Sequence, residues 1–508
     1  MKAENSFPVK NLATTFKERD EALCNRASCL FPVYLSDKQD THLIFLNYWT
    51  IKNYIAPENL LFNIRVRKES GELIYKDPYC PVNSHNQISI KSLLQQKGGK
   101  IEQEFAGTVE LEVISTSNLR YAFPAVTVVY QSNELFSAVH SAGRIKNTDE
   151  NQDSRYTRET NWNCKFDRNV TPFFHYFVGP ATPKNKTIEV AILNFEGQAV
   201  KKINVDISHL SPFGCETFFA DSLFDVSGLD NSYFMSVQVE HNSIYPRLIV
   251  GNFFKIERFY EVTHSYPLLE ELDYCPVRPD DTYQSTICAF STKGLDLILR
   301  SFPTFNRPQM LWDTYVKSYE QTRLYIDESN DPKSVKRFFE GRGSYSLNED
   351  NEFVAFCLKG KNTPARMTIS YQYSVSGIRS PYSTDISDGA KACIFPPKIT
   401  LWGHGLISNE FDTLIFLRNK SHTPNITKPS RGKLRVFSNF NEMIFDIEID
   451  SETLKVIKLR DLVGMPDVKN KEDVQFLSWV LNMDQPTCDT FWVSFNGRTG
   501  SIFGDHGF

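Results

Sequence analysis

A strand pair that recurs four times constrains this chain more than any other feature. It closes the stretches "LRYAFPAVTVVYQSNELFSAVHS" (119–141), "NSIYPRLIVGNFFKIERFYEVTHS" (242–265), "NTPARMTISYQYSVSGIRSPYSTDIS" (362–387) and "QPTCDTFWVSFNGRTGSIFGDHGF" (485–508). Each has a proline or an equivalent break, a strand of alternating apolar residues, a short turn, and a second strand that ends in a small polar cluster. That is a terminal β-hairpin used four times, and self-similarity of this kind reads as tandem units. The beginnings agree less closely: "TIEVAILNFEGQAVKKINVDI" (187–207) resembles "DTLIFLRNKS" followed by "GKLRVFSNFNEMIFDIEI" (432–449). Both put a turn or bulge signal between two strands of period two.

At 508 residues the chain exceeds what one hydrophobic core serves, and about three to five domains are expected, each able to bury its own core. Short alternating runs such as "HLIFLNYWTI", "LLFNIRVRK" and "GTVELEVIS", with no regular helix between them, predict an antiparallel sandwich and not a βαβ sheet. The expected fold is therefore all-β: tandem antiparallel β-sandwich repeats, Ig-like or jelly-roll-like, with a short N-terminal helical extension. The predicted division is an extension at 1–40, with a helix in "TTFKERDEALCNRA", then sandwich repeats at 41–146, 172–270, 285–394 and 395–508. The polar segment 147–171 reads as a linker or working loop, and 271–284 as a plain linker. In the third repeat, "LDLILRSFPTF" and "PKSVKRFFEG" each have room for a helical turn.

A formal charge of −5 argues against nucleic acid as a partner. The N-terminus carries charges where a signal peptide needs an apolar core, and no stretch approaches the ~20 apolar residues of a membrane span. The expectation is a protein of the cytoplasm, whose ten scattered cysteines are reduced structural thiols. No nucleotide-binding, zinc-protease, serine-hydrolase or EF-hand motif is present in the sequence. "GRGS" (341–344) reads as a turn.

The function expected of such an array is non-catalytic binding or assembly, with a protein partner, a second copy or a glycan as ligand. Arg144, Glu159 and Trp162 form the mix of guanidinium, carboxylate and aromatic that binding surfaces use. Trp162 and Trp402 are the candidate platforms for sugar faces. By the hairpin alignment, His140, His264 and His506 occupy one repeat position, where the third unit has Ile386 preceded by Asp385. Three imidazoles suit a divalent metal such as zinc, with Asp505 as an orienting neighbour. Units strung in a line would hold equivalent positions tens of ångströms apart, given strands of ~17–20 Å, so a shared ion requires strand ends that face a common axis. Arg120, Arg247 and Arg366, near the start of the penultimate strands, read as tethers or anion forks. The alternative function is an enzyme with a site between repeats, using His140 or His264 with Arg144 and Glu159.

Overall fold

The structure is a computed structural model, and it describes residues 24–79, 83–96, 104–119, 125–140, 155–194, 197–231, 233–241, 247–267, 285–292, 295–301, 312–316, 343–347, 353–360, 366–376, 378–389, 400–419, 429–439, 441–451, 453–464, 474–485 and 488–507. The described strands fall into antiparallel sheets.

The first unit has β1 (Arg26–Ser36), β2 (Gln39–Leu46), β3 (Leu60–Lys68), β4 (Leu73–Tyr79), β5 (His85–Ser89), β6 (Glu104–Ser115), β7 (Val126–Ser132) and β8 (Leu135–His140). The second has β9 (Arg155–Asn161), β10 (Val170–Phe177), β11 (Thr187–Leu193), β12 (Ala199–Asp206), β13 (Cys215–Phe219), β14 (Phe234–His241), β15 (Ile249–Phe254), β16 (Phe259–His264) and the short β17 (Tyr266–Pro267). The third has β18 (Ser285–Thr292), β19 (Leu295–Ser301), β20 (Trp312–Val316), β21 (Gly343–Leu347), β22 (Phe353–Gly360), β23 (Arg366–Val375) and β24 (Ile378–Gly389). The fourth has β25 (Thr400–Ile407), β26 (Phe411–Asn419), β27 (Ser430–Phe437), β28 (Glu442–Ile449), β29 (Leu454–Lys458), β30 (Gln475–Met483), β31 (Cys488–Asn496) and β32 (Ile502–His506).

Counted within its own unit, one strand order repeats. The first unit pairs β1-β6-β3-β4 and β5-β2-β7-β8, and the fourth pairs β25-β30-β27-β28 and β29-β26-β31-β32. The second unit repeats this as β9-β14-β11-β12 and β13-β10-β15-β16, with β17 added beside β9. In the third unit β20-β19-β23-β24 repeats the second half, whereas in β21-β22-β18 the strand β21 beside β22 comes after β20 in the chain and so departs from the order; the two parts join into one sheet where Thr292 meets Leu295. The fifth strand runs directly into a short helix in three units, at Ile90–Gln96, Ala220–Leu223 and Leu459–Val463.

Two segments differ from the sequence reading. Of the helix expected over 14–27, residues 14–23 lie outside the described residues, and from Arg26 the chain is strand. Ala27, Cys29, Phe31, Val33 and Leu35 alternate into the core while β1 pairs with β6 along its length, which satisfies its backbone groups. Within the expected linker, Arg155–Asn161 is β9, paired with β14 from Met235 to His241. Its polar composition concealed a strand whose hydrogen bonds, not its apolar content, secure it. "LDLILRS" is likewise strand β19, whereas "PKSVKRFFEG" lies outside the described residues.

The cores run across unit boundaries. Phe173, Phe177, Cys215, Ile249 and Val262 of the second unit share a buried cluster with the first unit's Phe31, Phe62 and Val128. Ile44, Val129, Phe136 and Ala138 of the first unit join the core of the fourth. Leu135, Phe254, Phe259 and Tyr382 bring the first three units together. In β25, a Cβ added at Gly403 would lie 2.5 Å from the Trp479 ring and 2.7 Å from that of Trp492, so this glycine answers close packing rather than a need for flexibility. The buried cysteines fit reduced structural thiols: burial pushes the thiols of Cys29 and Cys215 up, which makes them inert.

Shared cores imply shared unfolding. Phe136→Ala removes a ring packed on Phe411 at 5.0 Å and on Phe476, at an expected cost of about 3–5 kcal/mol. Calorimetry should show the first and fourth units losing stability together. A variant in which only a first-unit transition moves would contradict the shared core.

Candidate metal centre

Among the described residues each unit ends on a strand paired on one side only: β8 with β7, β16 with β15, β24 with β23, and β32 with β31. These four strands pack side by side in a closed cycle, β8 on β16, β16 on β24, β24 on β32 and β32 on β8. The units are therefore not strung in a line, and equivalent positions come together instead of lying tens of ångströms apart.

The joints around the cycle are polar and specific. Ser137 Oγ donates to the Tyr260 carbonyl at 2.5 Å between the first and second units. Lys165, paired with Glu261 of its own unit, donates from Nζ to Ser383 Oγ at 2.7 Å, and the Ser383 amide donates to Glu261 Oε2 at 2.7 Å, between the second and third. The Gly504 amide donates to Thr384 Oγ1 at 3.1 Å between the third and fourth. The Phe136 amide donates to Ser501 Oγ at 2.8 Å, and that hydroxyl donates back to the Phe136 carbonyl at 3.1 Å, closing the cycle.

The alternation of each last strand delivers its final polar residue to this cycle. The ring of His140 lies 4.8 Å from that of His264 and 5.3 Å from that of His506, edge to face in both cases. His140 Nδ1 donates to the Asp505 carboxylate. Asp505 Oδ1 also accepts the His506 amide at 2.8 Å and lies 3.8 Å from His506 Nε2. One ligand atom from each of His140, Asp505 and His506 falls within 4.8 Å of the others. Burial alone would raise the Asp505 carboxyl, but His140 and His506 outweigh it and hold it below the usual carboxylate range. His264 Nδ1 is 3.0 Å from the Ser265 carbonyl, and Arg247 Nη1 donates toward His264 Nε2 at 3.1 Å.

Glu159 is buried and accepts from Ser265 Oγ at 2.5 Å. Burial pushes its carboxyl up, opposed by that hydrogen bond and by Arg247. His264, Arg247 and Glu159 thus form one run of interactions. Trp162 is buried against Phe234, with rings 4.6 Å apart. Trp402 is buried against Tyr48 of the first unit and His404. Neither tryptophan offers the open face that sugar stacking requires, because large aromatic rings at strand positions next to another sheet are taken into the core. Arg144 and Arg120 lie outside the described residues, and of Arg366 only its place in β23 is described.

Two further histidine clusters had no signal in the sequence. Ser478 Oγ stands 2.7 Å from Nδ1 of both His85 and His404, and its single proton lets it donate to one ring while accepting from the other. Tyr34 Oη, His175 Nδ1 and Thr217 Oγ1 form a triangle between the first and second units, with sides of 3.2, 3.0 and 2.7 Å. Tyr34 also stacks on Tyr260 at 3.7 Å. The pairs that cross between units are separated by 141 to 393 positions along the chain, so no local spacing could have exposed them.

Among the described residues, no helix is long and apolar enough to cross a membrane. The sequence matches no protein-family model and no curated protein.

Burial lowers His85 to about 4 and His175 to about 3. In the unfolded chain both ionise near 6.5, so on acidification the unfolded state takes up protons first. Stability should fall from pH 6.5 toward 4, by up to about 1.4 kcal/mol per pH unit for each histidine. Glu159, raised by burial, acts in the opposite direction and offsets part of the loss. Denaturant unfolding at pH 7 and pH 5 checks this: the acid loss should shrink in His175→Gln. Equal acid sensitivity in the variant would remove His175 as a source.

Proposed function

We propose that the chain is a binding and assembly body whose outer strand edges take up an extended segment of a protein partner or of a second copy. The observation that carries the reading is a recurrence at the periphery. The fourth strand of three units, β4, β12 and β28, is hydrogen-bonded on one side only among the described residues, to β3, β11 and β27. An edge strand presents a row of unpaired backbone donors and acceptors and is the usual template for strand addition.

The side chains support it. Leu73 on β4, Val200 and Ile203 on β12, and Ile444 on β28 are exposed, and they are a large share of the exposed large hydrophobic residues among those described. Apolar residues repeated at one position in the fold suit an interaction surface better than chance exposure does. Ion pairs hold the face of β28 next to that edge in register, with Arg431 on Glu448 at 2.8 Å and Arg435 on Glu442 at 2.6 Å. Their contribution to stability is small, because water screens exposed ion pairs. A glycan ligand has less support, since both candidate tryptophans are buried.

Light scattering across a range of concentrations, combined with hydrogen exchange, tests the reading. The mass should rise with concentration, and amides of at least one of β4, β12 and β28 should become protected. Val200→Lys with Ile203→Lys should weaken association if β12 is the edge used. A monomer at every concentration, with or without candidate partner peptides, whose outer-edge amides exchange freely throughout, would end it.

A further inference from the structure

We infer that His140, Asp505 and His506 bind one divalent transition-metal ion, and that the ion ties the last strand of the chain to its first unit. The inference does not rest on strand addition at the outer edges. It begins with the positions of the donor atoms. His506 Nδ1 lies 3.3 Å from the Gly507 carbonyl, and a proton placed there leaves the imidazole lone pair on Nε2, 3.8 Å from Asp505 Oδ1. His140 meets the same carboxylate through Nδ1, so the ion takes the place of the proton between them. A metal-ligating histidine is oriented by a carbonyl or carboxylate on its second nitrogen, as His506 is by Gly507.

The donor set agrees, since a carboxylate from Asp505 stands beside the imidazoles of His140 and His506. Imidazole and carboxylate without thiolate favour zinc, cobalt or nickel over calcium or magnesium. Tetrahedral zinc with bonds of about 2.0–2.1 Å needs ligand atoms roughly 3.3 Å apart. The atoms of His140, Asp505 and His506 lie within 4.8 Å of one another, so small side-chain rotations close the site. The His264 ring lies 4.8 Å from that of His140 and keeps Arg247 Nη1 at 3.1 Å from its Nε2, which leaves the remaining coordination position to water. His506, with 30% of its side chain exposed, gives the ion a way in, while His140 and Asp505 at 9% and 11% form the closed side.

The role follows from the topology. His140 and Asp505 are 365 residues apart in sequence, so an ion between them closes a long loop and stabilises the assembled ring over the open chain.

Tag-free protein, stripped with a chelator and dialysed, is titrated with Co²⁺ and then with Zn²⁺. The expected result is one equivalent of Co²⁺ with visible bands of a four- or five-coordinate ion, displaced by Zn²⁺, and a melting temperature that rises with Zn²⁺. His506→Ala should abolish the visible bands, and Asp505→Asn should weaken binding by about 10–100-fold. Far-UV circular dichroism establishes that each variant is folded. Should His140→Ala not fold, the half-exposed His506 remains the deciding position. Wild-type protein that takes up no ion would overturn the inference, and so would unchanged bands in a folded His506→Ala variant, which would place the ion elsewhere.

Discussion

The packing of four unpaired strand edges against one another is the constraint on which the rest of the structure depends. The last strand of each unit is paired on one side only among the described residues, and a free edge invites unwanted pairing. Here β8, β16, β24 and β32 cover each other in a closed cycle. Removing any one would expose its two neighbours, so the four units stand or fall as a ring. The continuous cores say the same, since Phe136 belongs as much to the fourth unit as to the first.

Side-by-side packing of edges without a shared ladder leaves side chains to make the joints. The joints are accordingly built from serine, threonine, lysine, glutamate and histidine, several of them buried. Such groups are costly to desolvate and are tolerated when fully hydrogen-bonded. Lys165 illustrates the logic. Its ammonium meets both oxygens of Glu261 at 2.7 and 2.8 Å, as well as the Pro381 carbonyl and Ser383. An apolar joint of equal area would hold equally well but in many registers. A charged one defines a single alignment of the second and third units.

The histidines belong to the same scheme. His85 with His404 joins the first unit to the fourth, His175 joins the second to the first, and His140 meets residues of both neighbours. Burial keeps the first three neutral, while His140 donates to a carboxylate. The body is thus held by groups whose protonation matters, and its cohesion is tied to pH through the interfaces rather than through the cores.

Much of the fold was legible in the residues. The alternation in Val126–Ser132 and Ile249–Phe254 announces strands because side chains point to opposite faces, and four similar hairpins announce one repeated unit. The alignment that put His140, His264 and His506 at one position came from the same pattern. Strand β9 escaped notice because "RYTRETN" is secured by its partner β14 and not by apolar content. The burial of Trp162 and Trp402 is not legible in the residues, because it depends on which sheet lies opposite, which a single strand does not encode. The sequence by itself determined strand periodicity, hairpin recurrence and the equivalence of the histidines, all properties of short segments. Only the tertiary structure decided that the equivalent positions meet, because that depends on how four separate edges, hundreds of residues apart, find cover in one another.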